Sequence, residues 1–351
     1  PQTEIVDMRE ELRTGNTSPI SRRLEEALLD VKEEAKQAVL FLNRRGYHAR
    51  AVCTGCGTAA SCPNCSIAMT YHAANGRLMC HYCGYSEALI TRCPACGVPM
   101  KPVGTGTQKV EMELKTLFPD IDIDRMDADT VNAVNTHEAI LDHFRENRVP
   151  VLLGTQMVAK GLDMPNVTLV GVLDADLSLY TGGYRAGETT FNMLTQVVGR
   201  AGRGDTAGQA VIQTMVPEHK VITLAARQDY DSFYELEIQL RRIQNAPPFG
   251  DFGLVTFTGQ EESSVLRSAV KFRDSLGSFL RQPAYADQVF ALLGPAPCPV
   301  PKINYHFRHR LTLRCRMTKE LRLLLAHLLR QFSIDRENRG VTAFIDINGY
   351  D

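Results

Sequence analysis

Eight of the ten cysteines in this 351-residue chain lie between positions 53 and 96, and they are the residues best suited to chemistry. They form four Cys-x-x-Cys pairs separated by gaps of 5, 14 and 9 residues: Cys53/Cys56, Cys62/Cys65, Cys80/Cys83 and Cys93/Cys96. Each short turn aims two thiolates at one point, and two such turns complete a tetrahedral zinc site. The spacing therefore predicts two zinc ions with four thiolates each.

The four Cys-x-x-Cys pairs can combine into two zinc sites in two ways, sequential or nested. In a sequential arrangement neighbouring pairs combine, but the first site then has only five residues between its turns. We favour a nested arrangement, in which the inner pairs form a ribbon and the outer pairs close a second site. The nested sites are Cys53, Cys56, Cys93 and Cys96, and Cys62, Cys65, Cys80 and Cys83. Four protein ligands leave no open position, so both sites are predicted to be structural. A disulfide framework is the other interpretation, and extracellular signals that would favour it are lacking.

A second group of candidates lies in the segment 196–204, QVVGRAGRG. Arg200 and Arg203 place two guanidinium groups three residues apart at a glycine-rich helix end. Such a pair can clamp a triphosphate and offset charge on a transferring phosphoryl group. A surface arginine pair beside a turn is the alternative. The segment 154–163, GTQMVAKGLD, follows an apolar strand about 40 residues upstream and favours the phosphate interpretation.

Alternating strands and helices must position these residues. Strands are predicted at 38–42, 121–126, 151–154, 167–173 and 210–214. Helices are predicted after Ser21 and at 108–118, 136–146 and 191–198. This pattern is typical of a parallel sheet with helices on both faces, which binds ligands beyond the carboxyl ends of its strands. The cysteine segment is predicted to be an insertion after one strand.

The C-terminal part has a different order of elements. Strands at 252–258, 289–293, 306–316 and 341–347 enclose helices at 262–280 and 319–332. The order βαββαβ predicts a ferredoxin-like α+β domain. The predicted domains are therefore the start of an α/β lobe at 1–50, a zinc-binding insertion at 51–103, the rest of the lobe at 104–230 and a ferredoxin-like domain at 231–351.

Charge is distributed unevenly, although the whole chain carries −1. Residues 232–351 contain 16 Lys/Arg against 12 Asp/Glu. Arg308, Arg310, Arg314 and Arg316 occupy even positions of one predicted strand and should share a face. We interpret this face as a binding surface for DNA phosphates or for an acidic peptide, with a solvated sheet face as the alternative.

The composition, 44% apolar and 23% charged, is typical of a globular protein. The apolar runs are far shorter than the roughly 18 residues that span a membrane. We therefore expect a soluble cytoplasmic protein without a membrane partner.

The segment 196–203, QVVGRAGR, resembles motif VI of superfamily-two helicases, and 154–163 resembles motif V. The strand FLNRRGY at 41–47, followed by the four Cys-x-x-Cys pairs, is similar to the PriA (primosomal protein N′) family. The resemblance covers nearly the whole chain and implies a RecA-like second helicase lobe with an inserted two-zinc domain. It also implies a bacterial 3′→5′ DNA helicase that uses ATP and Mg²⁺, remodels stalled replication forks and initiates primosome assembly.

Residue roles follow from the resemblance by motif position. The implied nucleotide contacts are Arg200 and Arg203 at the γ-phosphate, Asp163 near the ribose, Gly161, and Gln196, which couples nucleotide to DNA.

Partners are implied in the same way. Thr155 and Gln156 would face the DNA backbone. The implied partners are branched and single-stranded DNA, the acidic tail of single-strand DNA-binding protein, and primosome and helicase-loader proteins.

The chain lacks the phosphate-binding motifs of a complete ATPase. No glycine is followed by lysine, so there is no Walker A loop, and no Asp-Glu pair serves as a Walker B box. Asp174 and Asp176 follow a strand and are a weaker metal candidate. The chain also begins with Pro1. We expect the phosphate-binding lobe to lie outside this sequence and the piece to be inactive alone. A zinc-ribbon nucleic-acid-binding adaptor without motor activity is the alternative function.

Overall fold

The structure is a computed structural model that describes residues 1–42, 50–63, 68–72, 76–80, 83–103, 107–126, 136–155, 164–180, 183–201, 208–285, 287–303 and 305–349. The chain forms two compact units, each assembled from separate stretches of sequence. The first combines Pro1–Ala60 with Ile90–Glu237, and the second combines Ser61–Leu89 with Ile238–Asp351. The cysteine segment is therefore divided between the two units.

The strands are β1 (Gln2–Asp7), β2 (Gln37–Leu42), β3 (Arg50–Cys53), β4 (Thr70–His72), β5 (Arg77–Met79), β6 (Ser86–Ala88), β7 (Met100–Val103), β8 (Ile123–Met126), β9 (Val151–Gly154), β10 (Val167–Leu173), β11 (Gln209–Thr214), β12 (Asp251–Gly259), β13 (Val289–Ile303), β14 (His306–Cys315) and β15 (Val341–Ile347). The α-helices are α1 (Met8–Arg13), α2 (Arg22–Glu33), α3 (Thr107–Leu117), α4 (His137–Glu146), α5 (Ala186–Val198), α6 (Lys220–Ala226), α7 (Tyr230–Ile243), α8 (Glu262–Leu280) and α9 (Lys319–Ile334). Within the described ranges, none of these helices combines the length and apolar character needed to cross a membrane.

The first unit is built on a parallel sheet. Its described strands follow the order β1-β11-β10-β2-β9-β8, and each neighbouring pair is parallel. Every residue of β2, β9 and β10 is buried, because α4, α5 and α6 cover one face of the sheet while α2 and α3 cover the other. The predicted parallel sheet with helices on both faces is confirmed.

Most predicted elements of this unit have the expected limits. β9 and β10 match their predicted ranges, and Ser21 caps α2 by accepting a hydrogen bond from the Leu24 N–H at 3.2 Å. β1 was not predicted. It lies at the edge of the sheet beside β11, and its side chains are mostly exposed or half-buried. Polar residues such as Gln2 and Glu4 can therefore occupy it, and they hide the apolar strand pattern.

The C-terminal part of the second unit is an antiparallel sheet with the order β13-β14-β12-β15. α8 connects β12 to β13, and α9 connects β14 to β15. This is the split βαβ, ferredoxin-like topology that the sequence predicted. Both helices pack on one face of the sheet, around a core that includes Phe257, Phe272, Leu311 and Phe332.

The cysteine segment adds small antiparallel sheets to both units. β3 pairs with β7 in the first unit, and β4, β5 and β6 form a sheet in the second. The predicted domain boundaries after 50, 103 and 230 remain predictions. By packing, the outer parts of the insertion belong with the parallel sheet and its middle belongs with the ferredoxin-like domain.

Candidate functional site

The outer cysteine pairs meet in the first unit, next to the paired strands β3 and β7. The sulfur atoms are 3.4 Å apart for Cys53 and Cys96, 3.7 Å for Cys56 and Cys93, and 3.5 Å for Cys56 and Cys96. Tetrahedral zinc with Zn–S bonds of ~2.3 Å holds its sulfurs ~3.8 Å apart. The four side chains therefore match the chemistry and the spacing of a zinc centre.

The inner pairs form the second cluster, in the second unit. Cys62, Cys80 and Cys83 lie together, and the Cys62 and Cys83 sulfurs are 3.5 Å apart. The fourth predicted ligand, Cys65, lies outside the described residues. All the described cysteines are free thiols, with spacings far beyond the ~2.05 Å of a disulfide bond. The grouping matches the nested arrangement rather than the sequential arrangement or a disulfide framework.

Three of the Cys-x-x-Cys turns share a conformation that glycine makes possible. Gly57, Gly84 and Gly97 each follow the second cysteine of a pair, with φ of 75°, 79° and 73°. Each glycine N–H donates to the carbonyl of the first cysteine in its pair at 2.9–3.0 Å. This left-handed conformation favours glycine. A Cys-x-x-Cys-Gly pattern in the sequence marks these turns, and reasoning from the cysteines alone missed it.

The first turn is anchored to the parallel-sheet unit by Arg9, a residue that sequence reasoning did not single out. The Arg9 guanidinium donates to the Glu218 carboxylate at 2.7 Å and to the Cys56 carbonyl at 3.4 Å. Gly57 packs so closely that a Cβ there would lie 2.1 Å from the Met215 carbonyl oxygen. The first centre is therefore part of the lobe rather than an appended module.

The electrostatic surroundings of Cys56 favour metal binding. The Thr58 hydroxyl lies 3.0 Å from the Cys56 sulfur. Chiefly through this hydrogen bond, the pKa of the Cys56 thiol is lowered to about 6. The thiolate is the form that binds zinc, so Thr58 favours the form that a metal requires.

The second centre packs against the ferredoxin-like domain. A Cβ on Gly84 would lie 3.7 Å from the Pro295 carbonyl oxygen and 3.8 Å from the Ala296 Cβ, which is ordinary van der Waals contact. Ala296 of β13 pairs in register with Arg310 of β14. The Cys80/Cys83 turn therefore packs against β13, the strand that pairs with the basic strand β14.

The basic residues of β14 alternate as predicted, but they are not equally accessible. Leu311 and Leu313 belong to the helix-covered core. Because side chains alternate along a strand, Arg310 and Arg314 lie on the opposite face of the sheet. Arg310 is only 4% exposed. The expectation of four arginines on one open face is therefore wrong for Arg310, which lies on a central strand and whose β13 neighbour Ala296 packs against Gly84.

The other three arginines of this strand have different surroundings. Arg314 donates to the Gln244 carbonyl and lies 5.8 Å from the Phe252 ring centroid. Arg308 is half-buried, and Arg316 is exposed just beyond the strand. Their role in binding DNA stays a prediction.

The motor segments are described in part. Thr155 directly follows β9, where its N–H donates to the Met126 carbonyl at 3.4 Å, so it lies at the carboxyl edge of the sheet. Gln196 is exposed near the end of α5, and Arg200 is half-buried just after the helix. The predicted site residues outside the described part are Gln156, Gly161, Asp163 and Arg203. The roles of all seven stay predictions.

Asp176 has a structural function. Its buried carboxylate accepts hydrogen bonds from the Thr214 hydroxyl at 2.7 Å and from the Met215 N–H at 3.0 Å. These bonds tie the segment after β10 to the end of β11. The weaker metal interpretation of the 174–176 triplet gains no support.

Family models match three separate stretches of the chain. The helicase conserved C-terminal domain matches 104–205, the PriA DNA helicase Cys-rich region domain matches 62–87, and the primosomal protein N C-terminal domain matches 242–350. The first stretch contains both motor segments, and the last contains the basic strand.

Curated relatives match along nearly the whole chain. Replication restart protein PriA of Bacillus subtilis is 42% identical over 351 residues, which cover 100% of this chain and 43% of the relative. The Synechocystis protein of the same name is 40% identical over 90% of this chain and 38% of its own length. The Treponema pallidum protein is 35% identical over 90% of this chain and 46% of its own length. The chain thus spans less than half the length of these relatives.

Similarity to solved structures is weaker. The C-terminal domain of the DEAD-box protein Dbp5 aligns at a TM-score of 0.30 and 13% identity, covering 69% of this chain and 97% of that chain. The C-terminal part of the Fun30 ATPase domain aligns at 0.30 and 13% identity, covering 64% of this chain and 53% of that chain.

Proposed function

Because the chain belongs to the PriA family of replication restart proteins and carries its helicase C-terminal lobe, we propose that it works as one half of an ATP-dependent 3′→5′ DNA helicase. The proposed task of the whole protein is to recognise and remodel stalled replication forks and to initiate primosome assembly. This half supplies the second motor lobe, two zinc centres and the ferredoxin-like domain.

The observation that carries the proposal is the end of α5. Val197 and Val198 are buried in the core of the lobe, whereas Gln196 beside them is exposed and Arg200 follows half-buried. The buried valines hold the helix end in place, so that polar residues of the motif can meet a ligand at the surface. We propose that Arg200 and Arg203 contact the γ-phosphate of ATP held by a separate lobe. Gly161 and Asp163 would add nucleotide contacts.

Zinc and nucleotide have different functions in this proposal. The four thiolates of the first cluster and the three described thiolates of the second suit Zn²⁺, which cross-links two turns that could hardly form a core by themselves. ATP and Mg²⁺ would bind where this lobe meets the phosphate-binding lobe, and this chain contributes positive charge there. Thr155 and Gln156 would contact the DNA backbone as the lobe moves.

We further propose the partners and the compartment that this function requires. Branched and single-stranded DNA are the substrates, and the acidic tail of single-strand DNA-binding protein is a partner. Primosome and helicase-loader proteins follow in the assembly, which takes place in the bacterial cytoplasm.

The decisive test measures ATP hydrolysis by the full-length protein on forked DNA. An arginine that stabilises phosphoryl transfer is worth about 10³-fold or more in turnover. Arg200→Ala and Arg203→Ala are expected to lose at least that factor while keeping their zinc. Arg227→Ala, which removes an exposed guanidinium at the end of α6, is the matched control and should keep normal turnover. Turnover of Arg200→Ala within about twofold of the unmodified protein would contradict the proposed role.

Two further measurements complete this test. The present chain by itself should bind two zinc ions and show no magnesium-dependent ATP turnover. Turnover that Arg203→Ala abolishes would mean that the chain holds a complete phosphate site and is not half of a motor. Unwinding of a duplex with a 3′ tail, but not of one with a 5′ tail, tests the direction.

A further inference from the structure

The hairpin formed by β13 and β14 extends past the neighbouring strand. β12 ends at Gly259, which pairs with Phe307, and Phe307 also pairs with Lys302, so that the Ile303–His306 pair of the hairpin lies beyond the end of β12. We call Lys302, Ile303, Tyr305, His306 and Phe307 the hairpin tip. Four of these side chains are exposed, and Phe307 is half-buried. The tip is therefore an exposed end of the ferredoxin-like domain.

The hairpin that carries this tip is strongly basic. Residues 288–319 contain six Lys/Arg and no Asp or Glu. Arg310 is buried, but Arg308 and Arg314 are half-buried, and Lys302 and Arg316 are exposed. Such a concentration of positive charge attracts a polyanion.

The tip also presents aromatic rings beside this charge. Tyr305 is 83% exposed, and its φ of 63° is unusual for a bulky residue. The Lys302 ammonium lies 4.5 Å from the Phe307 ring centroid and 6.0 Å from the Tyr305 ring centroid. An open aromatic face next to a cation is the combination with which proteins bind unpaired bases.

We propose that the hairpin tip binds an unpaired nucleotide of single-stranded DNA, with the Tyr305 ring stacked on a base and Lys302 on the adjoining phosphate. This inference rests on the proposed function, because it supposes that the protein works on DNA. An acidic peptide is the other polyanion to consider. A peptide is held best in a groove, whereas the Tyr305 ring is 83% exposed at the end of a hairpin, so the geometry favours a base.

The test is binding of the full-length protein to a short single-stranded oligothymidylate that carries one 2-aminopurine. Stacking quenches this fluorophore, and no ATP is needed. Base–aromatic stacking is worth ~1–3 kcal/mol, so Tyr305→Ala should weaken binding about fivefold or more and reduce the quenching. Tyr305→Phe keeps the ring and should bind normally. Phe344→Ala removes an exposed ring on β15 of the same domain and is the matched control.

The salt dependence of binding distinguishes the contribution of Lys302 from that of Tyr305. Lys302→Ala should lower the slope of log affinity against log salt by about 0.7, because one phosphate contact is lost. Tyr305→Ala should lower affinity without changing the slope, because stacking releases no counterions.

Three outcomes would overturn the inference. The first is that Tyr305→Ala binds the oligonucleotide and quenches its fluorescence as the unmodified protein does. The second is that Tyr305→Ala and Phe344→Ala lose the same affinity for the oligonucleotide. The third is that Tyr305→Ala loses affinity for an acidic peptide but not for the oligonucleotide. In each case ATP turnover that still depends on Arg200 would leave the proposed motor function standing. Failure of the unmodified protein to bind DNA would overturn both.

Discussion

Two glycines in equivalent turns of the first zinc centre are required for different reasons. Gly57 and Gly97 have nearly the same positive φ, 75° and 73°. A Cβ on Gly97 would meet nothing within 4 Å, whereas a Cβ on Gly57 would lie 2.1 Å from the Met215 carbonyl oxygen. Gly97 is needed for backbone conformation alone, and Gly57 is needed for conformation and for close packing.

This difference predicts unequal stability losses. Gly97→Ala should lower the free energy of unfolding by ~1–2 kcal/mol, the cost of a left-handed non-glycine residue. Gly57→Ala should lose that amount and a further ~1–3 kcal/mol, because a backbone carbonyl must move. Guanidinium unfolding with excess zinc measures both variants. Equal losses would show that the contact with Met215 does not hold the turn.

His309 is a buried titratable group in the ferredoxin-like domain. It is 5% exposed, and its Nδ1 has no hydrogen-bond partner in the described part of the chain. It pairs with Phe257 across β14 and β12. Burial lowers the pKa of His309 below its usual value, and the nearby Glu262 carboxylate only partly opposes this effect.

The lowered pKa predicts a loss of stability in acid. Below pH ~6.5 the unfolded chain binds a proton at this histidine that the folded chain does not. The contribution of His309 to the free energy of unfolding should therefore decrease as the pH falls from ~6.5 towards the lowered pKa of the folded state. The decrease is at most ~1.4 kcal/mol per pH unit. As the pH is lowered from 7 to 5.5, the free energy of unfolding of His309→Phe should therefore rise relative to that of the unmodified chain. His327→Phe, which replaces an exposed histidine on α9, is the control. A pH-independent difference for His309→Phe would contradict the expectation.

At the scale of elements, the strand pair β3–β7 and the turns around it determine which cysteines meet. Cys53 opposes Met100 in the β3–β7 register, which brings the turn after β3 close to the turn before β7. The outer pairs therefore combine, although 36 residues separate Cys56 from Cys93. Of the inner pairs, Cys62, Cys80 and Cys83 combine in the unit that contains the β4–β5–β6 sheet.

Zinc counting on two double variants tests this pairing. In the nested arrangement, Cys53→Ser with Cys93→Ser damages one site, so one zinc per chain should remain. Cys53→Ser with Cys62→Ser damages both sites, so none should remain. Sequential pairing predicts the reverse result. Native mass spectrometry of the two proteins gives the count directly.

The basic strand shows how an element can follow its predicted pattern and still differ in function. The alternation of Arg308, Arg310 and Arg314 with apolar residues is correct because side chains of a strand alternate between its faces. Arg310 is buried in a central strand of the sheet, and its β13 neighbour Ala296 packs against Gly84 of the second zinc cluster. Alternation along one strand predicts neither the place of that strand in the sheet nor the residues that pack beside it.

At the scale of the whole molecule, the chain passes between its two units after 60, 89 and 237. The middle of the cysteine segment belongs with the ferredoxin-like domain, so the two zinc centres belong to different units. The first centre is tied to the lobe through Arg9, and the second contacts Pro295 and Ala296.

This division predicts unequal zinc retention after truncation. A chain of residues 1–237 loses the domain on which the Cys80/Cys83 turn packs, while the first centre keeps its contacts. One zinc should then be released to a chelator markedly faster than the other, whereas the complete chain should hold both. A colorimetric chelator assay measures the rates. Slow release of both zinc ions from the truncated chain would contradict a dependence of the second centre on residues 238–351.

Local sequence patterns were sufficient to predict the parallel sheet, the ferredoxin-like order of elements and the cysteines that can bind zinc. These features follow from local patterns: buried strands such as 151–154 are continuously apolar, Ser21 begins a helix, and Cys-x-x-Cys turns are complete within four residues. The glycine after three of the Cys-x-x-Cys pairs is also a local pattern, and it could have predicted the left-handed conformation of these turns.

The way in which these parts join depends on contacts between residues far apart in the sequence. Arg9 reaches residues 47 and 209 positions away, and Gly84 contacts a strand more than 200 residues later. Such contacts assign one zinc centre to each unit, and the assembled sheet leaves Arg310 buried and Tyr305 exposed. They depend on which distant surfaces pack together, and local hydrophobic periodicity and residue spacing do not encode that choice.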